Sequence, residues 1–296
     1  MNVRNLNLLL VTNGFEGTRP ALDYGLWLAG TLGAHVTLLS VEEADNAHHP
    51  VGSLVAETVQ KLETAGVKYE AKVQKGHAEE VVSAFAKEGE YLVVLGPLGR
   101  PPLLRFVMGR SFRYFMAEIA SPLLYVPQTR TPVHKILVCM GGLEYALGPA
   151  RLALRFAPAM KASITFLHVV EPITMEYPLA HEVKTHWQHL LDTNTPQGRV
   201  LRQVLEESQP LGLPTSVKVR HGDVVPEILA EIKEGDYDLL CMGSAYSAHS
   251  LRHLYLPNVT ADVAEAVHCP VLTARYTGSV NESTNPASPK PPPLGG

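Results

Sequence analysis

The sequence is short of cysteine, of basic clusters and of long apolar runs, and each shortage excludes a class of protein. Cysteine occurs three times, at Cys139, Cys241 and Cys269. The number is odd and each thiol sits beside or within an apolar, strand-like run, which excludes a disulfide framework and points to buried free thiols in a reducing compartment. No apolar run approaches the ~20 residues of a bilayer-spanning helix, so no membrane partner is expected. The start, M-N-V-R-N-L-N-L-L-L-V, has too short an apolar run for a signal peptide and alternates with Asn as a first strand does. Together these predict a cytoplasmic, soluble protein. Net charge is −4 with pI near 6.4, and no basic block is interleaved with aromatics, which excludes a nucleic-acid partner held by general electrostatics. Strong chemical motifs are missing too. There is no H-E-x-x-H, no C-x-x-C, no G-x-S-x-G nucleophile elbow and no G-x4-G-K-[ST] phosphate loop.

What is there suits two ordinary globular domains: 296 residues, 46% hydrophobic and 18% charged. Strand-like runs at Leu8–Thr12, Val36–Val41, Val67–Val73, Leu92–Leu95 and Leu123–Val126 alternate with helical patterns. Thr18 is placed to cap the first helix, with Pro20 in its first turn, and Gly33 ends it. Such alternation predicts βαβ units and a mostly parallel sheet. Residues 128–133 read as a linker, after which the pattern begins again.

The repetition is explicit. Val36-Thr37 returns as Ile164-Thr165, 128 positions on, whereas K-E-G-E-Y at Lys87 returns as K-E-G-D-Y at Lys233, 146 on. Gly76 returns as Gly222 at the same spacing. The offset grows because the second copy carries an insertion in 171–212. The chain therefore divides into a first domain over 1–127, a second over 134–276, and a Pro-rich tail over 277–296 that lacks apolar periodicity and is expected to be disordered.

One stretch carries a chemical signal, Tyr91 to Ser111: Y-L-V-V-L-G-P-L-G-R-P-P-L-L-R-F-V-M-G-R-S. A buried-strand run meets Gly96, Gly99 follows, then Gly109, and a helical pattern begins near Ser111. Glycines admit a ligand close to backbone N–H groups, and a helix start offers orphan donors and a positive dipole end, so the stretch suits a phosphate. Glycines alone would also serve simply to turn a strand into a helix.

The doubled α/β pattern with Gly96-x2-Gly99-x9-Gly109 resembles the universal stress protein family. L-H-V-V-E-P at Leu167–Pro172 and C-P-V-L at Cys269–Leu272 support it. The resemblance spans both copies and implies two five-stranded, mostly parallel sheets with flanking helices, a Rossmann-like, adenine nucleotide alpha hydrolase-like α/β fold. It also implies an intramolecular pseudo-dimer, with further homodimerisation left open. The fifth strands, Leu123–Val126 and Val271–Ala274, would pair and hide both edges. It further implies ATP, or another adenine nucleotide with Mg as companion ion, in the first copy, and a role in stress regulation through a protein partner. On the matching positions Asn13, Gly14, Val41, Gly96, Gly99, Gly109 and Ser111 would hold the nucleotide, and Arg100 and Arg110 would cover its phosphates. The sequence departs from the family where nucleotide-binding members have Asp after the first strand. Here Asn13 stands, which keeps hydrogen bonding without charge. Arg110 takes the place of the serine after the third glycine, with Ser111 one later. The second copy departs further, with Tyr246 and Pro257 at two glycine positions. Gly141, Val169, Gly243, Ser244, Asn258 and Thr260 remain as weaker second-copy candidates for a small anion.

Other constellations read as plain surface. His181, His186 and His189, and the pair His249 and His253, lack a motif that would make them metal ligands, and no metal site is expected. Glu79-Glu80 and Glu231/Glu234 read as solvated helix faces, not acid–base pairs. With no positioned base, no catalytic residue is named and at most a weak ATPase is expected. The rival from another class is a nucleotide-free interaction module, with Pro97, Pro101 and Pro102 closing the loop over an empty cleft.

Overall fold

Leu8, Leu9, Leu10 and Val11 are fully buried in succession. Neighbouring residues of a strand point to opposite faces, so Leu8 and Leu10 enter one core while Leu9 and Val11 enter another. A strand apolar on both faces needs a layer on each, which a helix-covered parallel sheet supplies. The computed structural model shows this arrangement, describing residues 6–43, 51–99, 111–141, 147–172, 187–244 and 259–275.

The first half holds strands β1 (Asn7–Thr12), β2 (His35–Glu42), β3 (Tyr69–Lys75), β4 (Leu92–Leu95) and β5 (Leu123–Tyr125). Helices α1 (Arg19–Leu32), α2 (Val51–Thr64), α3 (Ala78–Phe85) and α4 (Ser111–Glu118) accompany them. The second half repeats them as β6 (Lys135–Cys139), β7 (Ser163–Val170), β8 (Thr215–His221), β9 (Leu239–Ser244) and β10 (Val271–Arg275). Its helices are α5 (Leu147–Met160), α6 (Pro196–Ser208), α7 (Val224–Gly235) and α8 (Val259–Ala266).

Each half is parallel throughout, and the halves meet where β5 runs antiparallel to β10, with Leu124 opposite Leu272. The fifth strands thus pair as the sequence suggests, and the pairing merges the two five-stranded sheets into one ten-stranded sheet, β3-β2-β1-β4-β5-β10-β9-β6-β7-β8. One face is covered by α1, α2, α5 and α6, the other by α3, α4, α7 and α8. The outer strands β3 and β8 carry Lys72, Lys75, Lys218 and Arg220, charges that discourage further strand addition.

Helix α1 buries Ala21, Leu22, Tyr24, Leu28 and Leu32 along one stripe, and Gly33 ends it at φ +64°, a conformation glycine adopts without steric cost. Thr18 precedes this helix but does not cap it. Its hydroxyl donates to the Phe15 carbonyl (2.7 Å) and lies 2.7 Å from Thr12 Oγ1. In the second half the long segment between β7 and β8 contains α6, capped by Thr195, whose Oγ1 accepts the Gly198 N–H at 3.1 Å. The three cysteines are free and buried. Among the described residues no helix is long and apolar enough to cross a membrane. The tail over 277–296 lies outside the described residues.

Candidate functional site

In the first half β1 lies between β2 and β4, so the chain builds β2 and β3 on one side of β1 and then crosses over to build β4 and β5 on the other. Such a reversal opens a crevice beyond the carboxyl ends of the two strands, where open α/β sheets take their ligands. Three short segments meet there: Asn13–Thr18 after β1, Glu43 after β2, and Gly96–Gly99 after β4.

Asn13 is only 1% exposed. Its Nδ2 donates to Glu43 Oε2 (2.8 Å) and to the Leu98 carbonyl (3.1 Å), and its Oδ1 accepts the Phe15 N–H at 3.3 Å. Glu43 Oε1 accepts the N–H of Ala78, the first residue of α3, at 2.8 Å. Gly14 has φ +81° and donates its N–H to Thr12 Oγ1 at 3.1 Å.

The two described glycines of the loop are required by close approach. A Cβ at Gly96 would stand 3.0 Å from the Gly17 carbonyl oxygen, and one at Gly99, where φ is +66°, would stand 2.3 Å from the Phe15 ring. The segment after β4 is therefore packed backbone-to-backbone and backbone-to-ring against the segment after β1.

The ladder aims the backbone of Val41 at this place. Along β2, His35 N–H bonds to Leu6 on the β1 side, while Val36 N–H reaches Lys68 and Glu42 accepts Gly76 N–H on the β3 side. The alternation turns odd-numbered residues toward β1, and β1 ends opposite Ser40. Val41 is thus directed one step beyond the paired part of β1.

Of the predicted site residues, Asn13, Gly14, Val41, Gly96 and Gly99 converge on this crevice. Ser111 is the first residue of α4. Arg100, Gly109 and Arg110, with Pro101 and Pro102, lie outside the described residues.

The second half presents a different surface at the matching place. Gly141 follows β6 and is exposed, Val169 is half-buried on β7, and Gly243 and Ser244 end β9. Thr260, in the first turn of α8, donates its hydroxyl to the Gly243 carbonyl at 2.7 Å. Asn258 lies outside the described residues. At the position matching Ser40 stands His168, a buried imidazole whose Nδ1 lies 2.8 Å from the Met140 carbonyl. Burial holds its pKa below the usual histidine value.

Two expectations about charged residues change. Glu79 and Glu231 are buried at 5% and 1% exposure, not part of solvated faces. Glu231 accepts bonds from Lys218 Nζ (2.6 Å), Tyr237 OH (2.7 Å) and Arg220 Nη1 (3.1 Å). Of the histidines, His189 lies in the 3₁₀ segment Trp187–Asp192 with its Nδ1 4.0 Å from Asp192, both exposed, while His181, His186, His249 and His253 lie outside the described residues. Among the described residues no group of three or more His, Cys, Asp or Glu could hold a metal.

Glu43, Phe15 and Leu98 are site residues that sequence reading misses. Glu43 had a signal: Glu171 follows β7 at the same 128-residue spacing that relates the second strands. Phe15 and Leu98 carry none, because their roles depend on contacts across the crevice.

With this geometry in hand, relatives can be compared. The sequence pattern of the universal stress protein family matches residues 5–127 and again 132–275. A universal stress protein from Archaeoglobus fulgidus DSM 4304 superposes with a TM-score of 0.66 at 18% identity, over 91% of this chain and 96% of that one. A functionally unknown protein from Pseudomonas aeruginosa PAO1 gives 0.63 at 14% identity, over 91% and 92%. No curated protein sequence matches the chain. At these identities the structural likeness speaks for the fold, and the double family match speaks for membership. The chain belongs to the universal stress protein family, with two copies in tandem.

Proposed function

We propose that this tandem universal stress protein binds an adenine nucleotide, ATP, in the crevice of its first half, and that binding changes a surface read by a protein partner in a stress response. The observation that carries the reading is the meeting of Gly96 and Gly99 with the end of β1 at the order reversal, with α4 beginning at Ser111. A glycine-bearing backbone and a helix start offer N–H donors to phosphate at the place where such sheets take nucleotides. Gly109, Arg110 and Arg100 complete the anion-binding stretch by sequence, and a Mg ion would travel with the triphosphate. The described residues suit the phosphates of a nucleotide through backbone donors, and no hydrolytic step is assigned.

The second half is the weaker candidate. Its Thr260 hydroxyl is engaged by Gly243, and Pro257, which lacks an N–H, replaces a glycine. It serves the fold as the pairing partner of the first half.

Titration calorimetry with ATP tests the assignment. Gly109→Arg should weaken binding by about ten-fold or more, and Gly243→Arg should leave it unchanged. Gly99 is the poorer probe, because its positive φ and its contact with Phe15 would disturb the loop whatever its role. Wild-type affinity in Gly109→Arg would overturn the site.

A second reading rests on one observation: Asn13 and Gly99 already engage the protein's own Glu43, Leu98 and Phe15. On that reading the crevice is filled from within and the chain is an interaction module without nucleotide. An unshifted melting temperature in millimolar ATP would select it.

A further inference from the structure

The insertion of the second half lays the 3₁₀ segment Trp187–Asp192 against the outer strand β8, and an open groove of about 360 Å³ remains between them. Trp187, Leu190 and Leu191 line it from the segment, Val217 and Val219 from β8, and Asp192 borders it. Trp187, Leu191, Val217 and Val219 pack on the core yet stay only half-buried, so apolar surface faces the groove. The Trp187 ring lies 5.7 Å from that of His221, the last residue of β8, which sets the aromatic wall near the carboxyl edge of the sheet. In the first half the residues matching the two valines are Ala71 and Val73, and both are exposed, Val73 at 60%. The groove thus belongs to the insertion and not to the shared fold.

The second half has one other extension, the tail after β10. It carries P-A-S-P-K-P-P-P over 286–293, and Lys290 is the single cation of residues 276–296. Strands β6 to β10 are parallel to one another, so the chain leaves β10 at the edge where β8 ends. Four strand spacings, about 19 Å, separate the two strands. Residues 276–285, extended, span about 33 Å. The Pro-rich stretch can therefore reach the groove of its own chain with slack to pass over the sheet edge.

The chemistry of the two parts is complementary. Pro-rich segments favour the polyproline II conformation, lose little entropy on docking, and are taken up by aromatic-lined grooves. Trp187 with the two valines supplies such a wall, and the exposed carboxylate of Asp192, whose nearest cationic partner is His189 at 4.0 Å, supplies a charge opposite to that of Lys290. We propose that the groove between Trp187–Asp192 and β8 is a proline-recognition site occupied by the chain's own tail, with prolines of 286–293 against Trp187 and Lys290 beside Asp192. The tether gives the tail an effective concentration in the range of about a millimolar, so even a weak contact is mostly formed.

The test uses the full chain with a nitroxide, a contact quencher of tryptophan fluorescence, on Ser288→Cys. The three native thiols are buried, so the introduced one is the accessible target. Subtracting the emission of the same chain carrying Trp187→Phe removes the contribution of Trp27 and leaves that of Trp187. Labelling should lower the Trp187 emission about two-fold or more at micromolar protein, independently of dilution. Lys290→Glu, a change outside both domains, should restore about half of the loss or more. Unchanged Trp187 emission on labelling overturns the proposal without any change in the groove. So does a loss of equal size in the Trp187→Phe chain, which would place the label elsewhere. A loss that disappears on dilution gives the groove to the tail of a second copy and overturns the intrachain assignment. A loss undiminished in Lys290→Glu overturns the placement of Lys290 beside Asp192.

Discussion

Phe85 on α3 packs its ring 5.8 Å from that of Tyr91 and carries Lys72 Nζ 5.1 Å above it. The matching residue of the second half is Glu231, and the matching lysine and tyrosine, Lys218 and Tyr237, now donate hydrogen bonds to it. One position is thus filled by an aromatic ring under a cation or by a carboxylate among donors. Burial pushes the Glu231 pKa up, but bonds from Lys218, Tyr237 and Arg220 outweigh it and leave the pKa below the usual carboxylate value. A lowered folded-state pKa contributes stability above the unfolded value of about 4.3, and that stability is lost as pH falls through the folded value. Glu231→Ala should cost about 1–3 kcal/mol at neutral pH, with the deficit in melting temperature shrinking below about pH 4. Asn13→Asp should behave in the opposite sense. Its paired carboxylate would have a raised pKa, so its deficit should grow as pH rises from about 4 to 7 and the second charge forms. Melting curves of both variants across that range check the signs. Neither arrangement is legible in the sequence. Glu231 reads there as a solvated helix position, because Lys218 and Arg220 reach it from β8 and Tyr237 from the turn after α7. Asn13 and Glu43 are brought together only by the pairing of β1 with β2.

At the scale of elements, what local pattern could show was legible. The run Leu92–Leu95 is β4, the run after the linker contains β6, and the two copies share the same joint after their second strands. Gly76 donates to Glu42, and Gly222 to Val170, as the 146- and 128-residue offsets imply. The ends of β3 were less legible: β3 runs Tyr69–Lys75, later than its hydrophobic alternation suggests, because its register is set by β2 and not by its own half-exposed side chains. Helix α6 lies in the segment that reads as an insertion, although Thr195-Pro196 carries a helix-start signature. Its entry is tight. A Cβ at Gly198 would stand 2.4 Å from the Leu190 carbonyl oxygen and 2.9 Å from that of Thr193. Both obstacles are backbone and neither can rotate away. Gly198→Ala should therefore destabilise the protein by about 1–3 kcal/mol despite alanine's better helix propensity. Denaturant unfolding checks this, and a stabilised variant would show that propensity wins.

For the whole molecule, the joint between halves decides how it unfolds. The β5–β10 ladder is short, but Leu123, Leu124, Val271 and Leu272 are buried along it. Arg113 on α4 adds bonds to Asp262 (2.6 Å) and Glu265 (2.9 Å) on α8, and Arg130 donates to the Tyr237 carbonyl at 2.8 Å. Both cores run across the joint, so the chain should unfold in a single transition. A fragment ending at residue 131 would expose the β5 edge with its apolar neighbours, and it should self-associate through that edge. Sedimentation of the fragment, expected to show dimers or larger species where the full chain shows the mass of its own β5–β10 closure, checks this.

The same asymmetry between halves that keeps Asn13 and Glu43 in the first and Gly141 and Thr260 in the second leads to the central claim, one nucleotide site per chain. Native mass spectrometry of the purified protein in ATP tests it most directly. The account predicts one ATP per chain, lost in Gly109→Arg and retained in Gly243→Arg. Two per chain, or none at any ATP concentration, would contradict it.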